Sequence, residues 1–202
     1  MNIAVLGAAG RTGSQVVAQA LAAGHSVTAL VRSPGRMAAT DPKLRVVQGD
    51  ATDPASVAKA LEGADAVIST LDAPGRVIAD ATRAIVGVAV GEQMPRVVMM
   101  SSFAVQRDRL TGVLKLLSGV LSSDKWSDKA AGEKLLRASD LRWAIVYATP
   151  LSDGPRRGVQ VMPESTRVSL SDRISRADAA SFLLEAATSG DYDRRSVLIT
   201  GA

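Results

Sequence analysis

Asn2-Ile3-Ala4-Val5-Leu6-Gly7-Ala8-Ala9-Gly10-Arg11-Thr12-Gly13 is the stretch whose reading decides the fold. Its first five residues form a short apolar run with β-branched members, as a buried strand requires, and the run stops at a glycine. From Ser14 to Ala23 the pattern becomes helical, with Val16, Val17, Ala20 and Leu21 on one face. A strand that passes through three glycines into a helix is how a phosphate-binding turn is built. Each glycine answers a separate need. Gly7 takes a backbone angle closed to other residues, Gly10 lets the main chain approach a pyrophosphate, and Gly13 lets the helix lie against the strand. The free amides of the helix start and the positive end of its dipole then face the anion, and Ala9, Arg11 and Thr12 complete the candidate binding turn.

Outward from this turn, Gly24 is a good helix C-cap, His25 is a solvated loop residue, and Val27 to Val31 form a second strand. That strand ends in Arg32-Ser33-Pro34-Gly35-Arg36. In dinucleotide-binding folds its tip meets the adenosine ribose, where an acid bonds the 2′-hydroxyl and an arginine accepts a 2′-phosphate. Here there are two arginines and no acid, so NADP(H) is expected in preference to NAD(H), with Arg32 gripping the 2′-phosphate and Arg36 assisting. Leu44 to Gln48 is a third strand, followed by Asp50 and Ala51, where a side-chain or main-chain group reads the adenine amine. The competing reading of Asp50 is a turn aspartate that bonds its own backbone. Asp53 as N-cap and Pro54 at the first helical position start a helix to Leu61. Ala64 to Thr70 is a fourth strand, and its end, Thr70-Leu71-Asp72, followed by Ala73-Pro74-Gly75, is expected to form a lip over the diphosphate and nicotinamide ribose. A helix from Val77 to Gln93, stopped by Pro95, leads to a fifth strand, Arg96 to Met100, which runs into Ser101-Ser102.

Such an alternation demands a mainly parallel sheet covered on both faces, an α/β three-layer, doubly wound architecture. Ligands in such sheets bind beyond the carboxyl ends of the strands. Gly7 to Gly13, Arg32, Asp50, Thr70 and Ser101-Ser102 all fall on that edge. Between Phe103 and Lys129, Leu110, Val113, Leu114, Leu117, Val120 and Leu121 recur at helical spacing, read either as an amphipathic helix packed on the domain or as a lid or dimer face. A helix follows from Ser127 to about Ser139, then a sixth strand from Leu141 to Tyr147 with Trp143 in the core. Val159 to Val161 and Val168 to Leu170 are expected to be short strands of a substrate-side flap. Ile174 to Asp178 precede a helix through Ala187, with Arg176 or Asp178 near its positive end, and a last strand, Ser196 to Thr200, closes the pattern. Residues 1–202 are expected to be one domain whose small substrate-side region comes from about 103–128 and 150–175.

Composition narrows the chemistry. The chain has no cysteine and one histidine in 202 residues, so neither disulfides nor a metal site are expected. Aromatics are 3% against 47% hydrophobic residues, so the core must be aliphatic. No run approaches the length of a membrane span and no basic leader precedes the first strand, which points to a cytoplasmic protein without a membrane partner. The net charge of +4 and pI of 9.8 serve anionic ligands. Nucleic acid is not expected, because the arginines are dispersed without interleaved aromatics.

The G-x-x-G-x-x-G spacing of Gly7, Gly10 and Gly13 is similar to that of the short-chain dehydrogenase/reductases. Leu30-Val31-Arg32, Gly49-Asp50-Ala51-Thr52-Asp53, Ala64 to Ser69, Arg96 to Ser102, Ser127 to Leu136, Ser152 to Pro155 and Ile174 to Ala180 continue the likeness. The chain resembles the atypical members of that Rossmann-fold family, particularly the flavin and biliverdin reductase-like and NmrA-like groups. By position, the resemblance implies Ser102 as the serine beside the nicotinamide and Lys129 as the residue directed at the nicotinamide ribose and substrate. The chain departs from the common Tyr-x-x-x-Lys signature, in which lysine lowers the pKa of a tyrosine acid. The frame reads Lys125-Trp126-Ser127-Asp128-Lys129, and neither Tyr147 nor Tyr192 has a lysine four residues later. Second-site histidines of related reductases are absent, and Tyr147-Ala148 stands where many relatives have Arg-Pro. The function implied is an NADPH-dependent oxidoreductase passing hydride to a small conjugated acceptor such as a flavin or quinone, with flavin as substrate rather than bound group. Two alternatives stay open: a non-catalytic NADP(H)-binding redox sensor that reports through 103–128, and an NAD(P)-dependent sugar epimerase-like enzyme. Monomer and homodimer are both compatible.

Overall fold

A computed structural model describes residues 1–89, 94–105, 123–163, 166–169 and 171–202. Its strands are β1 (Asn2–Leu6), β2 (Ser26–Val31), β3 (Leu44–Gln48), β4 (Ala66–Ser69), β5 (Arg96–Ser102), β6 (Trp143–Ala148), β7 (Leu151–Ser152), β8 (Val159–Met162), β9 (Ile174–Ser175) and β10 (Arg195–Gly201). Its helices are α1 (Arg11–Ala22), α2 (Pro54–Leu61), α3 (Val77–Val88), α4 (Ser123–Arg137) and α5 (Arg176–Thr188). The main sheet runs β3-β2-β1-β4-β5-β6-β10-β8. All its neighbours are parallel except β10 and β8.

Period-two alternation sorts each strand between two cores. In β1, Ile3 and Val5 join the cluster formed with Val16, Val17 and Ala20 of α1 and Phe182, Leu183 and Ala186 of α5. Ala4 and Leu6 join the opposite cluster, formed with Val57 of α2, Ile78 and Ile85 of α3 and Leu136 of α4. Three layers result, with aliphatic packing on both faces. After β1 the chain goes to β2 and β3 on one side, then returns to β4 on the other. This reversal opens a crevice at the carboxyl ends of β1 and β4, and the glycine turn and Thr70 both lie there.

Several boundaries differ from the sequence reading. Helix α1 starts at Arg11 rather than Ser14, because its first turn lies over the end of β1 and carries no apolar period to mark it. Strand β6 starts at Trp143, where pairing with Val97 begins. Helix α4 starts at Ser123 rather than Ser127, and β5 extends to Ser102. Residues 159–161 form no flap: β8 pairs antiparallel with β10, from Leu198 against Met162 to Gly201 against Val159, and so ends the main sheet. Spacing of valines marks a strand but not its partner. Leu151–Ser152 and Ile174–Ser175 pair in a separate two-stranded sheet. The end of the helix expected to reach Gln93, Leu170, and residues 106–122 of the amphipathic segment lie outside the described residues. Among the described residues no helix is long and apolar enough to cross a membrane.

Candidate cofactor site

The turn after β1 is shaped by clearance too small for any side chain. Gly7 has φ +83°, and its amide-to-helix path is closed by a bond from the Gly10 N–H to the Gly7 carbonyl at 2.9 Å. A Cβ on Gly13 would lie 2.1 Å from the Gly7 oxygen, so α1 starts directly on the turn. Gly10 is the N-cap residue and supplies no side-chain acceptor. Three other helices, α2, α3 and α5, are each capped by a side chain. Asp53 accepts from the amides of Ala55 and Ser56 on α2, Ser175 from that of Asp178 on α5, and Asp128 from those of Ile78 and Ala79 on α3. In contrast to these three, α1 has no side-chain cap on its opening amides, at the crevice where the strand order reverses.

The remaining sequence candidates line the same edge in differing ways. Thr12 and Thr70 are buried, while Ala9, Ala51 and Leu71 are half-buried and pack on the core. The Thr70 hydroxyl turns inward, donating to the Leu6 carbonyl at 3.2 Å, so it braces the turn from below. Arg32 and Arg36 are exposed past the end of β2. Asp50 accepts from the Thr52 amide and hydroxyl, both at 2.8 Å, which is the local turn geometry of the competing reading. Those two bonds, with the Arg32 guanidinium further off, hold its carboxyl below the usual range despite slight desolvation. Arg11 is exposed and lies 3.8 Å from Asp153, which Arg176 also engages at 2.6 Å.

Helix α4 forms the far wall. Lys129 is only 4% exposed, and its Nζ lies 3.5 Å from Asp72 Oδ1 on the loop after β4. Ser102, half-buried, accepts at 3.3 Å from the Ala104 amide, whereas its neighbour Ser101 points into the α4 layer and donates to Glu133 at 2.6 Å. Tyr147, opposite Ser101 in register, donates to the other Glu133 oxygen, and Arg137 donates to the Tyr147 oxygen at 3.0 Å. Burial, then the Glu133 bond and its charge, push the Tyr147 phenol up to about 12, against a smaller pull from Arg137. A phenol held in this way is a structural donor rather than a proton source near neutrality.

Sequence reasoning placed Asp72 in the lip but missed its pairing with Lys129, and it missed Asp128, Glu133 and the anchoring role of Asp178. Asp178 is buried and receives the Arg157 and Gly158 amides and the Ser175 hydroxyl, which pins the segment after β7 to the start of α5. Burial raises its pKa, but the Ser175 hydroxyl and the two amides prevail and hold it low. The Ser175-to-Asp178 spacing was a capping-box signal. Asp128 carried no local signal, since its partners on α3 lie 49 and 50 residues away, and the hydroxyls that Glu133 receives, from Ser101 and Tyr147, lie 32 and 14 residues away.

Residues 7–190 match the model of a protein family described as NAD(P)H-binding. The photosystem II assembly factor Ycf39 of Cyanophora paradoxa is 26% identical over 227 residues, an alignment that takes in all of this chain and 64% of that protein. The chain therefore spans less than two thirds of the length of that relative. A short-chain dehydrogenase/reductase from Veillonella parvula, solved in complex with NADP, superposes with a TM-score of 0.79 at 20% identity, covering 98% of this chain and 93% of that one. ChuY, an anaerobillin reductase from Escherichia coli, superposes with a TM-score of 0.80 at 21% identity, covering 98% and 96%. At these identities the likeness is one of fold.

Proposed function

Because the chain belongs to the NAD(P)H-binding family, we propose that it is an NADPH-dependent reductase that passes hydride to a small conjugated acceptor, such as a flavin or a quinone. The observation that supports this reading is the amino end of α1, which has no side-chain cap, at the switch crevice, with Lys129 buried on α4 beside Asp72 and Ser102 half-buried at the end of β5. The α1 amides and the Gly7–Gly13 main chain receive the diphosphate, and Arg32 and Arg36 take the 2′-phosphate. Bound NADPH supplies the hydride. Lys129, steadied by Asp72, holds the nicotinamide ribose hydroxyls, and Ser102 stands beside the ring. Hydride arriving at the acceptor leaves charge on a conjugated heteroatom, which takes one proton from water or from the Lys129 ammonium. NADPH, acceptor and a proton thus give NADP⁺ and reduced acceptor, and orientation rather than a strong acid is the chain's main contribution. Residues 1–202 are read as one domain. Structural likeness to a reductase supports the reaction type.

A second reading, an NADP(H)-binding module without turnover, is favoured by the state of Tyr147, whose buried hydroxyl donates to Glu133 and is raised well above its ordinary pKa by burial and that bond. Likeness to an assembly factor agrees with it. NADPH oxidation in the presence of FMN, dichlorophenolindophenol and small quinones separates the two. The reductase reading expects turnover with at least one acceptor and a loss of about tenfold or more in kcat/KM for Lys129→Ala. Tight NADPH binding with no turnover by any acceptor would establish the module.

A further inference from the structure

We propose that Asp128 is the positioning residue for Lys129, an inference that rests on the reading of Lys129 as a cofactor contact. Helix α3 begins without a side-chain cap of its own, since Arg76 at its N-cap supplies none. Asp128 of α4 serves instead, its Oδ2 accepting from the Ile78 amide at 2.9 Å and its Oδ1 from the Ala79 amide at 3.0 Å. Two bonds to two oxygens fix the carboxylate in rotation as well as in place, and at 5% exposure water cannot substitute for them. The next residue, Lys129, reaches Asp72 on the loop that leads into the same helix. Two consecutive residues of α4 therefore grip both ends of one stretch, Asp72 to Ala79, and Thr70, two residues before it, braces the glycine turn.

The rest of the contact leaves α4 little room to shift. A Cβ on Gly132 would lie 3.1 Å from the Ile78 Cγ2 and the Thr82 Oγ1, so the two helices touch closely one turn beyond Asp128. Further on, Glu133 pins α4 to β5 through Ser101 and to β6 through Tyr147. With Glu133 fixing α4 to the sheet, Asp128 fixes the start of α3 to α4. The distance from the Lys129 ammonium to a nucleotide on the glycine turn is then set through Asp128 rather than through Lys129's own flexible stem. Neutralising Asp128 loosens that distance without touching the cofactor.

A double-mutant cycle tests this, read as NADPH affinity by calorimetry together with kcat, KM and Tm. Asp128→Asn and Lys129→Ala are each expected to weaken NADPH binding by about tenfold, with the double variant no weaker than Lys129→Ala alone. If Asp128→Asn does not fold, Asp128→Ser, which keeps one acceptor for the α3 amides, takes its place in the cycle. Losses that multiply in the double variant, or a lowered Tm with unchanged affinity, would overturn the proposal by showing Asp128 to be a helix clasp only. Wild-type protein that binds no pyridine nucleotide would instead overturn the site reading itself, and this inference with it.

Discussion

The turn after β1 and the wall built by α4 hold their shapes by opposite means. The turn is a matter of backbone: a positive φ at Gly7, a 2.9 Å amide-to-carbonyl bond, and a helix start with no space for a methyl group at Gly13. The wall is a matter of side chains, in which two buried carboxylates, Asp128 and Glu133, reach three other elements. A backbone device tolerates no added atom and needs no partner. A side-chain device tolerates shape changes but fails when one polar group is left without its mate.

The largest expected effect tests the first half of this contrast. Gly13→Ala forces a Cβ into the Gly7 carbonyl, and urea unfolding should show a loss of about 3 kcal/mol. Gly10→Ala, whose Cβ would sit 3.1 Å from that oxygen, should cost clearly less. Equal stability of Gly13→Ala and wild type would remove the clearance argument. Next comes Glu133→Ala, which strands the Ser101 and Tyr147 hydroxyls in the interior and should cost about 2 to 3 kcal/mol. A near-neutral result there would mean that the wall is held by apolar packing.

A pH titration sharpens the same point. The Tyr147 phenol is raised in the folded chain to about 12 from its ordinary value of 10.0, so it stays protonated where the unfolded chain ionises. Its contribution is complete below pH 10.0 and is lost as pH rises toward about 12, a fall of about 2 kcal/mol. Tyr147→Phe should lose that part of the alkaline slope, and an unchanged slope would place Tyr147 outside the buried network. The smallest effect belongs to neither device. Arg11 and Asp153 are 74% and 75% exposed and 3.8 Å apart, so Arg11→Ala should change stability by under about 0.5 kcal/mol, and less in high salt.

This contrast also explains what could be read from the chain beforehand. The glycine turn, the order of strands and helices, and the row of candidates along one sheet edge are local in sequence, and hydrophobic period and glycine spacing reveal them. Asp53 as a cap was legible for the same reason, since its amides are two and three residues away. The clasp was not, because nothing near Asp128 or Glu133 announces amides on α3 or hydroxyls on β5 and β6. The edge strand β8 was misplaced on similar grounds: its valines show a strand, but its partner β10 lies more than thirty residues on. Asp50 shows a middle case, in which the local turn and the ligand-facing role both fit the residue and geometry favours the turn for its side chain.

Titration calorimetry of the folded protein with NADPH and with NADH tests the central claim most directly. The account predicts heat of binding with NADPH, an affinity at least about tenfold above that for NADH, and loss of that margin in Arg32→Ala. No heat with either nucleotide, from protein whose unfolding transition shows it to be folded, would contradict it.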